Sequence, residues 1–184
     1  YFYRAFAKYD LEDYRGAIED YTKTIEIDPN DTDAYYNRGY TKYDLEDYKG
    51  AIEDYTKAIE IDPGYSLPYY NLGIAKYALE DYKGAIEYYT KAIELDPNYA
   101  NAYNNRGYTK DFIGDSKGAI EDYTKAIELN PNDALPYVNR GEVKYDLVDY
   151  KGAIEDYTKA IEIDPNYADA YLNRGYTKYD LEDY

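Results

Sequence analysis

Proline recurs at a fixed interval of 34 residues along this chain of 184 residues, and glycine keeps the same interval. The stretch from Leu11 to Pro29 reads LEDYRGAIEDYTKTIEIDP, and the stretch from Leu45 to Pro63 reads LEDYKGAIEDYTKAIEIDP. A fixed period of this length predicts a stacked repeat architecture, in which each unit buries its apolar face against its neighbours. The periodic residues are Pro29, Pro63, Pro97, Pro131 and Pro165, with Gly39, Gly73, Gly107, Gly141 and Gly175.

The composition restricts the possible functions. Asp and Glu number 38 against 21 Lys and Arg, so the net charge is −17. Such an acidic surface repels nucleic acid and anionic lipid, and it favours a basic or neutral protein or peptide as the partner. The chain has no His and no Cys, and it contains no glycine-rich phosphate loop. We therefore expect a protein that is not an enzyme and that has no cofactor and no metal site.

The chain has no apolar run near the roughly 20 residues of a membrane-spanning helix, so membrane insertion is not expected. This pattern favours a soluble protein, and the cytoplasm is slightly favoured although the compartment is left open. The chain starts at Tyr1 and stops at Tyr184, both inside repeats, and it has no initiator Met. We therefore expect it to be an excerpt of a longer array.

Each repeat has the pattern of two amphipathic helices. In the repeat that starts at Thr32, residues at helical spacing predict helices over 33–45 and 48–61, with Asp47 as the N-cap of the second. The connection is short, so the two helices should form an antiparallel hairpin. The whole pattern predicts an all-α chain of five hairpins and a final first helix over 169–181, or eleven helices. The second helices should begin near Tyr14, Tyr48, Tyr82, Ser116 and Tyr150, and the repeats of this single array (1–184) lie near 1–31, 32–65, 66–99, 100–133, 134–167 and 168–184.

An Arg lies on the inward stripe of most first helices. If the turn lies between Glu46 and Asp47, Arg38 is level with Asp54 on the facing helix. One repeat has lost both residues and has Leu72 and Tyr88 instead. Because an unpaired buried charge is costly, the joint replacement predicts a direct Arg–Asp contact in the other hairpins. The further pairs are Arg4 with Asp20, Arg106 with Asp122 and Arg140 with Asp156.

The spacing of these residues resembles the tetratricopeptide repeat (TPR), which has the pattern W-x2-L-G-x2-Y, A-x3-F and P with a 34-residue period. The matching segments are Tyr35-x2-Arg38-Gly39-x2-Lys42, Ala51-x3-Tyr55 and Pro63. The resemblance covers the whole chain. It implies an α-solenoid of antiparallel helical hairpins in a right-handed TPR superhelix, with the first helices lining a concave groove.

Tyrosine occurs 31 times and has two predicted roles. One set keeps the repeat position of Tyr55 and is interpreted as core: Tyr21, Tyr55, Tyr89, Tyr123 and Tyr157. A second stripe of the first helices would face the groove, where Tyr offers flat contact area and Asn could clamp an extended peptide backbone. The alternative for Asn is local hydrogen bonding. The candidate partner-binding residues are Tyr36, Asn37, Tyr40, Tyr70, Asn71, Asn105, Tyr108, Asn139, Asn173 and Tyr176.

These features predict a protein–protein interaction scaffold that binds an extended peptide or partner segment in the groove. Two alternatives stay open, a structural spacer that associates end to end and a consensus-type designed TPR. Self-association through the repeat ends is suggested by the final helix, whose inward stripe of Tyr171, Gly175, Lys178 and Leu181 has no second helix to cover it. The opening stretch YFYRAFAKY likewise presents aromatic residues where a preceding repeat would lie.

Overall fold

The structure, a computed structural model, describes residues 1–181, and these form eleven α-helices joined by short turns, with no strand. The all-α prediction is confirmed, and all five second helices begin at the predicted residues. The first helices of the hairpins are α1 (Phe2–Asp10), α3 (Thr32–Asp44), α5 (Ser66–Ala78), α7 (Ala100–Phe112), α9 (Ala134–Asp146) and α11 (Ala168–Asp180). The second helices are α2 (Tyr14–Ile27), α4 (Tyr48–Ile61), α6 (Tyr82–Leu95), α8 (Ser116–Leu129) and α10 (Tyr150–Ile163).

The chain divides into two compact units, one from Tyr1 to Pro97 and one that begins at Asn98. In the first unit α1 pairs with α2, α3 with α4 and α5 with α6, and each of α2 and α4 also packs on the first helix that follows it. In the second unit α7 pairs with α8 and α9 with α10, while α8 and α10 pack on α9 and α11. Each unit is thus a stack of consecutive hairpins, as expected of an α-solenoid. The single array, its repeat boundaries and the superhelix handedness stay predictions.

The turn inside a hairpin combines the C-terminal cap of the first helix with the N-terminal cap of the second, and in the α3–α4 hairpin Asp47 belongs to both. At the end of α3 the amide of Glu46 donates to the carbonyl of Tyr43 at 2.8 Å, and the amide of Asp47 donates to the carbonyl of Lys42 at 2.9 Å. These two bonds define a Schellman motif, with Glu46 in the left-handed region at φ 61°. The Asp47 side chain then accepts from the amide of Gly50 at 3.0 Å, which confirms it as the N-cap of α4. A connection this short holds the helices antiparallel.

The core of four hairpins, from α3–α4 to α9–α10, contains a Tyr ring that lies over a Gly, and the first hairpin has Ala5 at the Gly position. Tyr55 is 1% exposed, and a Cβ added to Gly39 would come within 2.9 Å of its ring. The missing side chain of Gly39 therefore makes room for the ring and lets the two helices approach closely. The prediction that this set of Tyr residues is core is confirmed, because Tyr21, Tyr55, Tyr89, Tyr123 and Tyr157 are all at most 2% exposed.

Candidate functional site

A buried carboxylate ties together the two helices of four hairpins. In the α3–α4 hairpin, Asp54 accepts hydrogen bonds from Nε and Nη2 of Arg38 at 2.8 and 2.6 Å. Lys42, one turn after the Arg, also reaches Asp54, with Nζ 2.8 Å from Oδ2. The predicted Arg–Asp contact is confirmed, and the additional Lys is a partner that sequence reasoning missed. The other pairs are Arg4–Asp20, Arg106–Asp122 and Arg140–Asp156.

In the first hairpin this arrangement changes the acidity of the carboxyl group. Hydrogen bonds from Arg4, and also from Lys8, hold the pKa of Asp20 well below its usual range, against the opposing effect of burial. The carboxylate therefore stays charged far into the acidic range.

The α5–α6 hairpin shows how the chain replaces this cluster. Leu72, at the Arg position, is 1% exposed and packs in a hydrophobic cluster that Tyr88 borders. Lys76, the equivalent of Lys42, turns instead to Asp81 in the hairpin turn, at 2.9 Å. No buried side-chain polar atom of the described residues lacks a hydrogen-bond partner, so the joint loss of Arg and Asp is structurally compensated.

The first-helix face, defined here by the candidate partner-binding residues, is aromatic in the first unit. Tyr36 and Tyr40 of α3, with the neighbouring Asn37, meet Phe6 and Tyr9 of α1 around a cavity of about 300 Å³. The Tyr40 ring lies 5.8 Å from that of Tyr9 and 6.5 Å from that of Tyr36. Three of the predicted residues are therefore brought together on one aromatic lining.

The two candidates on α5 lie in a different environment. Asn71 is buried, and its Nδ2 donates to the hydroxyl of Tyr36 at 2.9 Å. It shares a small cavity of about 110 Å³ with Tyr40. Tyr70 is half-buried, with its ring 5.9 Å from that of Tyr89, and it lines neither cavity. Asn71 thus helps to shape the aromatic lining, whereas the ring of Tyr70 lies near the buried ring of Tyr89.

The second unit contains a cavity of about 400 Å³ on its first-helix face, which we call the acidic pocket. Two of the five candidates in this unit, Asn173 and Tyr176, line it. Asn105, Tyr108 and Asn139 do not. The lining consists of four carboxylates, three Tyr rings and two small polar residues, with no Lys or Arg among the described residues: Asp111, Glu142, Asp146, Asp180, Tyr145, Tyr157, Tyr176, Asn173 and Thr177.

Burial and neighbouring negative charges raise the pKa values of two carboxylates in this pocket, Asp111 and Glu142. Desolvation raises the pKa of Asp111, and the charge of Asp146 raises it further. Desolvation in the pocket also raises the pKa of Glu142, as do the charges of Asp169 and Asp111, although Nδ2 of Asn173 donates to its Oε1 at 2.9 Å and opposes this effect. The pocket therefore carries negative charge that its own side chains do not balance.

The acidic pocket arises where the repeat pattern is broken. Asp111 stands where other repeats have Tyr, and such a Tyr can bond to an Asp 35 residues later, as Tyr145 does to Asp180 at 2.5 Å. The residue 35 places after Asp111 is Asp146, so two carboxylates occupy the positions of a Tyr–Asp pair. Glu142 likewise replaces the Tyr of other repeats. The sequence analysis did not predict Glu142 as a site residue, nor the pocket. The signal in the sequence is that Asp111 and Glu142 are acidic at positions where other repeats have Tyr.

The recurrent Asn residues make hydrogen bonds inside their own units. Nδ2 of Asn37 donates to the carbonyl of Asp33 at 2.7 Å, and Nδ2 of Asn139 donates to Oδ1 of Asn104 at 3.1 Å. Together with the bonds that Asn71 and Asn173 donate, these contacts use one amide donor of four of the five recurrent Asn residues and fit the alternative that they bond within the protein. A peptide clamp by these residues stays a prediction and would have to use the remaining polar groups.

Residues 1–181 contain no group of three or more Asp or Glu residues that could hold a metal ion. None of the helices in that range is long and apolar enough to cross a bilayer.

The chain matches two related family models. The model described as "Tetratricopeptide repeat" matches residues 32–65, 67–99 and 100–133, and the model described as "TPR repeat" matches residues 7–45 and 144–181. A search of curated proteins found no match by sequence.

Among solved structures, MamA is 30% identical with a TM-score of 0.83, covering 90% of this chain and 96% of its own. YrrB, described as a TPR protein with an unusual peptide-binding site, is 26% identical with a TM-score of 0.77, covering 90% and 86%. PilF of Pseudomonas aeruginosa is similar in fold, at 21% identity with a TM-score of 0.87, covering 99% of this chain and 83% of its own. With both family models spread along the sequence and the same hairpins in each unit, the chain belongs to the tetratricopeptide repeat family.

Proposed function

We propose that the chain is a protein-interaction scaffold whose first-helix face binds an extended segment of a basic partner. A Lys or Arg side chain of that segment would enter the acidic pocket. Membership of the TPR family supports the general role as a scaffold, and the pocket supports the preference for a basic partner.

The observation that carries the charge preference is the unbalanced negative charge of the acidic pocket. Desolvation and the nearby charge of Asp146 raise the pKa values of Asp111 and Glu142, so a cation placed beside these carboxylates would relieve the repulsion. The rings of Tyr145 and Tyr176 line the same cavity and offer faces on which a guanidinium can stack. These features together favour Arg over a neutral side chain.

The first unit, taken by itself, has a cavity that would suit the less polar residues of a peptide. Its cavity is lined mainly by aromatic rings, among them Tyr9, Tyr36 and Tyr40. Tyr combines a large apolar surface with a hydroxyl and loses little conformational entropy on binding, which suits peptide contacts. The similarity to YrrB, itself described as a peptide-binding TPR protein, supports this mode of binding.

The charge preference can be tested with a set of fluorescent peptides of one sequence that differ at a single position, which holds Arg, Lys, citrulline or Glu. We expect the Arg peptide to bind about tenfold more tightly than the citrulline peptide, because hydrogen bonds to charged groups are the stronger ones. The difference should shrink as salt screens the charges.

Variants that restore the repeat residue make the test specific. Asp111→Tyr and Glu142→Tyr replace pocket carboxylates with the residue found in other repeats, so the fold should be kept while the preference for Arg is lost. Glu121→Tyr removes the same charge from the exposed surface of α8 and is the control. Equal affinities for the Arg and citrulline peptides, or an Arg preference that survives both pocket variants, would contradict the proposal.

Self-association through the repeat ends is the second candidate function. Tyr1 and Tyr3 at the start of the chain are 58% and 87% exposed, and Tyr171 and Tyr176 of α11 are 45% and 61% exposed. Contacts between two different surfaces of identical chains can propagate into filaments. Because the net charge of −17 opposes association, it should strengthen at high salt. Sedimentation that shows only monomers at high protein and salt concentrations would exclude this function.

A further inference from the structure

The two hairpin turns of the second unit are more apolar than the turns of the first. The α3–α4 turn reads DLE at residues 44–46, so acidic and apolar side chains alternate there. The α7–α8 turn reads FIG at residues 112–114, and the α9–α10 turn reads DLV at residues 146–148. One Asp and two Glu of the repeat pattern are thus absent, and Phe112 and Val148 stand at two of these positions.

The apolar side chains of these two turns belong to one edge of the unit. Residues 35 positions apart meet where neighbouring first helices end, since the hydroxyl of Tyr9 donates to Asp44 and that of Tyr145 donates to Asp180, both at 2.5 Å. The same spacing relates the apolar residues of the two turns. We call these four residues the turn patch: Phe112 with Leu147, and Ile113 with Val148.

The turn patch is open to solvent. Phe112, Ile113, Leu147 and Val148 are 57%, 47%, 54% and 67% exposed. Such exposure is a property of turns inside a stack, because Leu45, whose turn has a neighbouring hairpin on each side, is 42% exposed. If a fully exposed apolar side chain offers on the order of 200 Å², the turn patch offers on the order of 400 Å². A contiguous apolar patch of that size is often functional.

The backbone of Val148 makes this patch costly for the free chain. Val148 has φ 65°, at a position where other turns have Glu12, Glu46, Glu80 or Gly114. Glycine adopts this left-handed conformation without steric cost, whereas a β-branched residue is strained in it. Backbone strain of this kind is concentrated at functional sites. The presence of Val in the turn is therefore best explained by a contact that its side chain makes with a partner.

The surroundings of the turn patch are negatively charged. Asp146 lies directly before Leu147 and also lines the acidic pocket, so the two surfaces adjoin at this residue. The exposed charged residues nearest to the patch in the sequence are three acids and two bases: Asp115, Asp146, Asp149, Lys117 and Lys151. Together with the other carboxylates of the adjoining acidic pocket, these charges favour apolar side chains that are flanked by Lys or Arg.

The size of the patch argues against a second copy of the chain as its partner. Two turn patches in contact would bury on the order of 800 Å² in all, which is below the roughly 1,200 Å² of a stable interface. Both copies would also carry a net charge of −17. The same charge repels an anionic membrane. A short segment of another protein needs only a few apolar side chains and fits a surface of this size.

We propose that the turn patch binds apolar side chains of the same basic segment whose Lys or Arg enters the acidic pocket. One part of the segment fills the pocket, and the part beside it covers the patch. The identity of this partner rests on the proposed function, whereas the apolar contact at Phe112 and Val148 can be measured separately from the charge preference.

The experiment uses fluorescent peptides of fixed length that carry one Arg and a Leu-Leu pair. The pair is placed one, three or five residues from the Arg on either side, and Ser-Ser replaces it in the matched control peptides. Each peptide is titrated with the whole chain and followed by anisotropy. For at least one placement we expect the Leu-Leu peptide to bind about tenfold more tightly than its Ser-Ser control, because the Leu side chains leave water on the patch.

Variants that restore the repeat residue locate the contact. Phe112→Asp and Val148→Glu introduce the residues of the α3–α4 turn, where Glu46 has the same left-handed conformation, so the fold should be kept. The combined variant should lose the Leu-Leu preference. Asn132→Asp with Asn166→Asp adds the same two charges in exposed turns between hairpins and is the control.

A second variant of Val148 separates binding from stability. Val148→Gly removes the apolar side chain and relieves the backbone strain. It should therefore weaken the Leu-Leu peptide severalfold while it raises the midpoint of urea unfolding. A residue with a purely structural role would not give this combination.

Three results would overturn the proposal. The first is equal affinity of the Leu-Leu and Ser-Ser peptides at every placement. The second is a Leu-Leu preference that survives Phe112→Asp with Val148→Glu, since the apolar residues would then bind elsewhere. The third is self-association in sedimentation, or binding to phosphatidylcholine vesicles, that the same variant abolishes, because a second copy or a lipid surface would then occupy the patch. Failure of the proposed function has a different signature: citrulline in place of Arg would leave the affinity unchanged while the Leu-Leu preference persists.

Discussion

Replacing Asp54 with Ala should destabilise the α3–α4 hairpin far more than the loss of one surface ion pair. Asp54 is 3% exposed and accepts from Arg38 at 2.8 and 2.6 Å and from Lys42 at 2.8 Å. Its removal leaves a guanidinium and an ammonium group, whose side chains are 16% and 18% exposed, without their anion. Breaking a buried pair by removing one partner costs about 3–5 kcal/mol. Because both cations keep some solvent, we expect about 3 kcal/mol, at the lower end of that range.

Removing the Arg together with the Asp should be much less harmful. The α5–α6 hairpin lacks both residues, and there Lys76 binds Asp81 in the turn instead. The turn residue Asp47 stands at the position of Asp81, so Lys42 has the same alternative once Asp54 is gone. The variant Arg38→Leu with Asp54→Ala should therefore lose less stability than Asp54→Ala alone. The coupling energy between the two sites should be about 2 kcal/mol, within the range measured for residues in one network.

The measurement is a double-mutant cycle of the wild type, the two single variants and the double variant. Urea unfolding followed by circular dichroism gives the free energies, and hydrogen exchange of the α4 amides shows whether the loss is local to the hairpin. A further variant, Arg38→Leu with Asp54→Tyr, reproduces the pair found in α5–α6 and should be the most stable of the charge-free forms. Effects of Arg38→Leu and Asp54→Ala that add to within about 0.5 kcal/mol would refute the reasoning.

Three other predictions follow from single positions. Val148 is 67% exposed and has φ 65°, and a β-branched residue is strained in this left-handed region. Val148→Gly should therefore raise the free energy of unfolding in urea by about 1 kcal/mol, and an unchanged midpoint would contradict this. Gly141→Ala places a Cβ 2.7 Å from the Tyr157 ring and should cost about 1–3 kcal/mol by the same assay, whereas Gly175→Ala meets no atom and should be neutral or stabilising; equal effects would contradict the packing argument. The pKa of Asp111 is raised in the folded chain, so its charged form is destabilising above that pKa, and this effect disappears as the pH falls through the raised pKa toward the ordinary value near 4. The wild type should gain stability over that interval relative to Asp111→Asn, and denaturation curves of both proteins that shift in parallel between pH 7 and pH 4 would count against it.

The hairpins could be predicted from the sequence because each repeat carries its own local signals. Asp47 marks the start of a helix, and Pro63 follows the end of one. In an antiparallel hairpin, residues at similar distances before and after the turn lie at the same level, and this rule places Arg38 beside Asp54. These features depend only on helical geometry within a single repeat.

Other features depend on contacts that local signals do not determine. The Lys42 side chain is long enough to reach Asp54 from one helical turn away. Its partner therefore could not be predicted from the residues that lie at the same level on the facing helix. Nothing about Glu46 as a residue type indicates a left-handed conformation; only Gly114, at the same position of another turn with φ 87°, is the residue expected there. The acidic pocket depends on how neighbouring first helices align, which places residues 35 positions apart together and which the 34-residue period alone does not define.

The departures from the repeat pattern separate into two kinds, and the difference bears on function. At Leu72 and Tyr88 the Arg and the Asp were lost together, and Lys76 found a new partner, so the change leaves no energetic penalty to explain. At Asp111 and Glu142 the changes add like charges to a pocket without a compensating cation among its lining residues. A change that lowers the stability of the free chain is best accounted for by a state in which the penalty is relieved. A bound Lys or Arg side chain would provide that state, and it would make the most irregular part of the array the part that selects the partner.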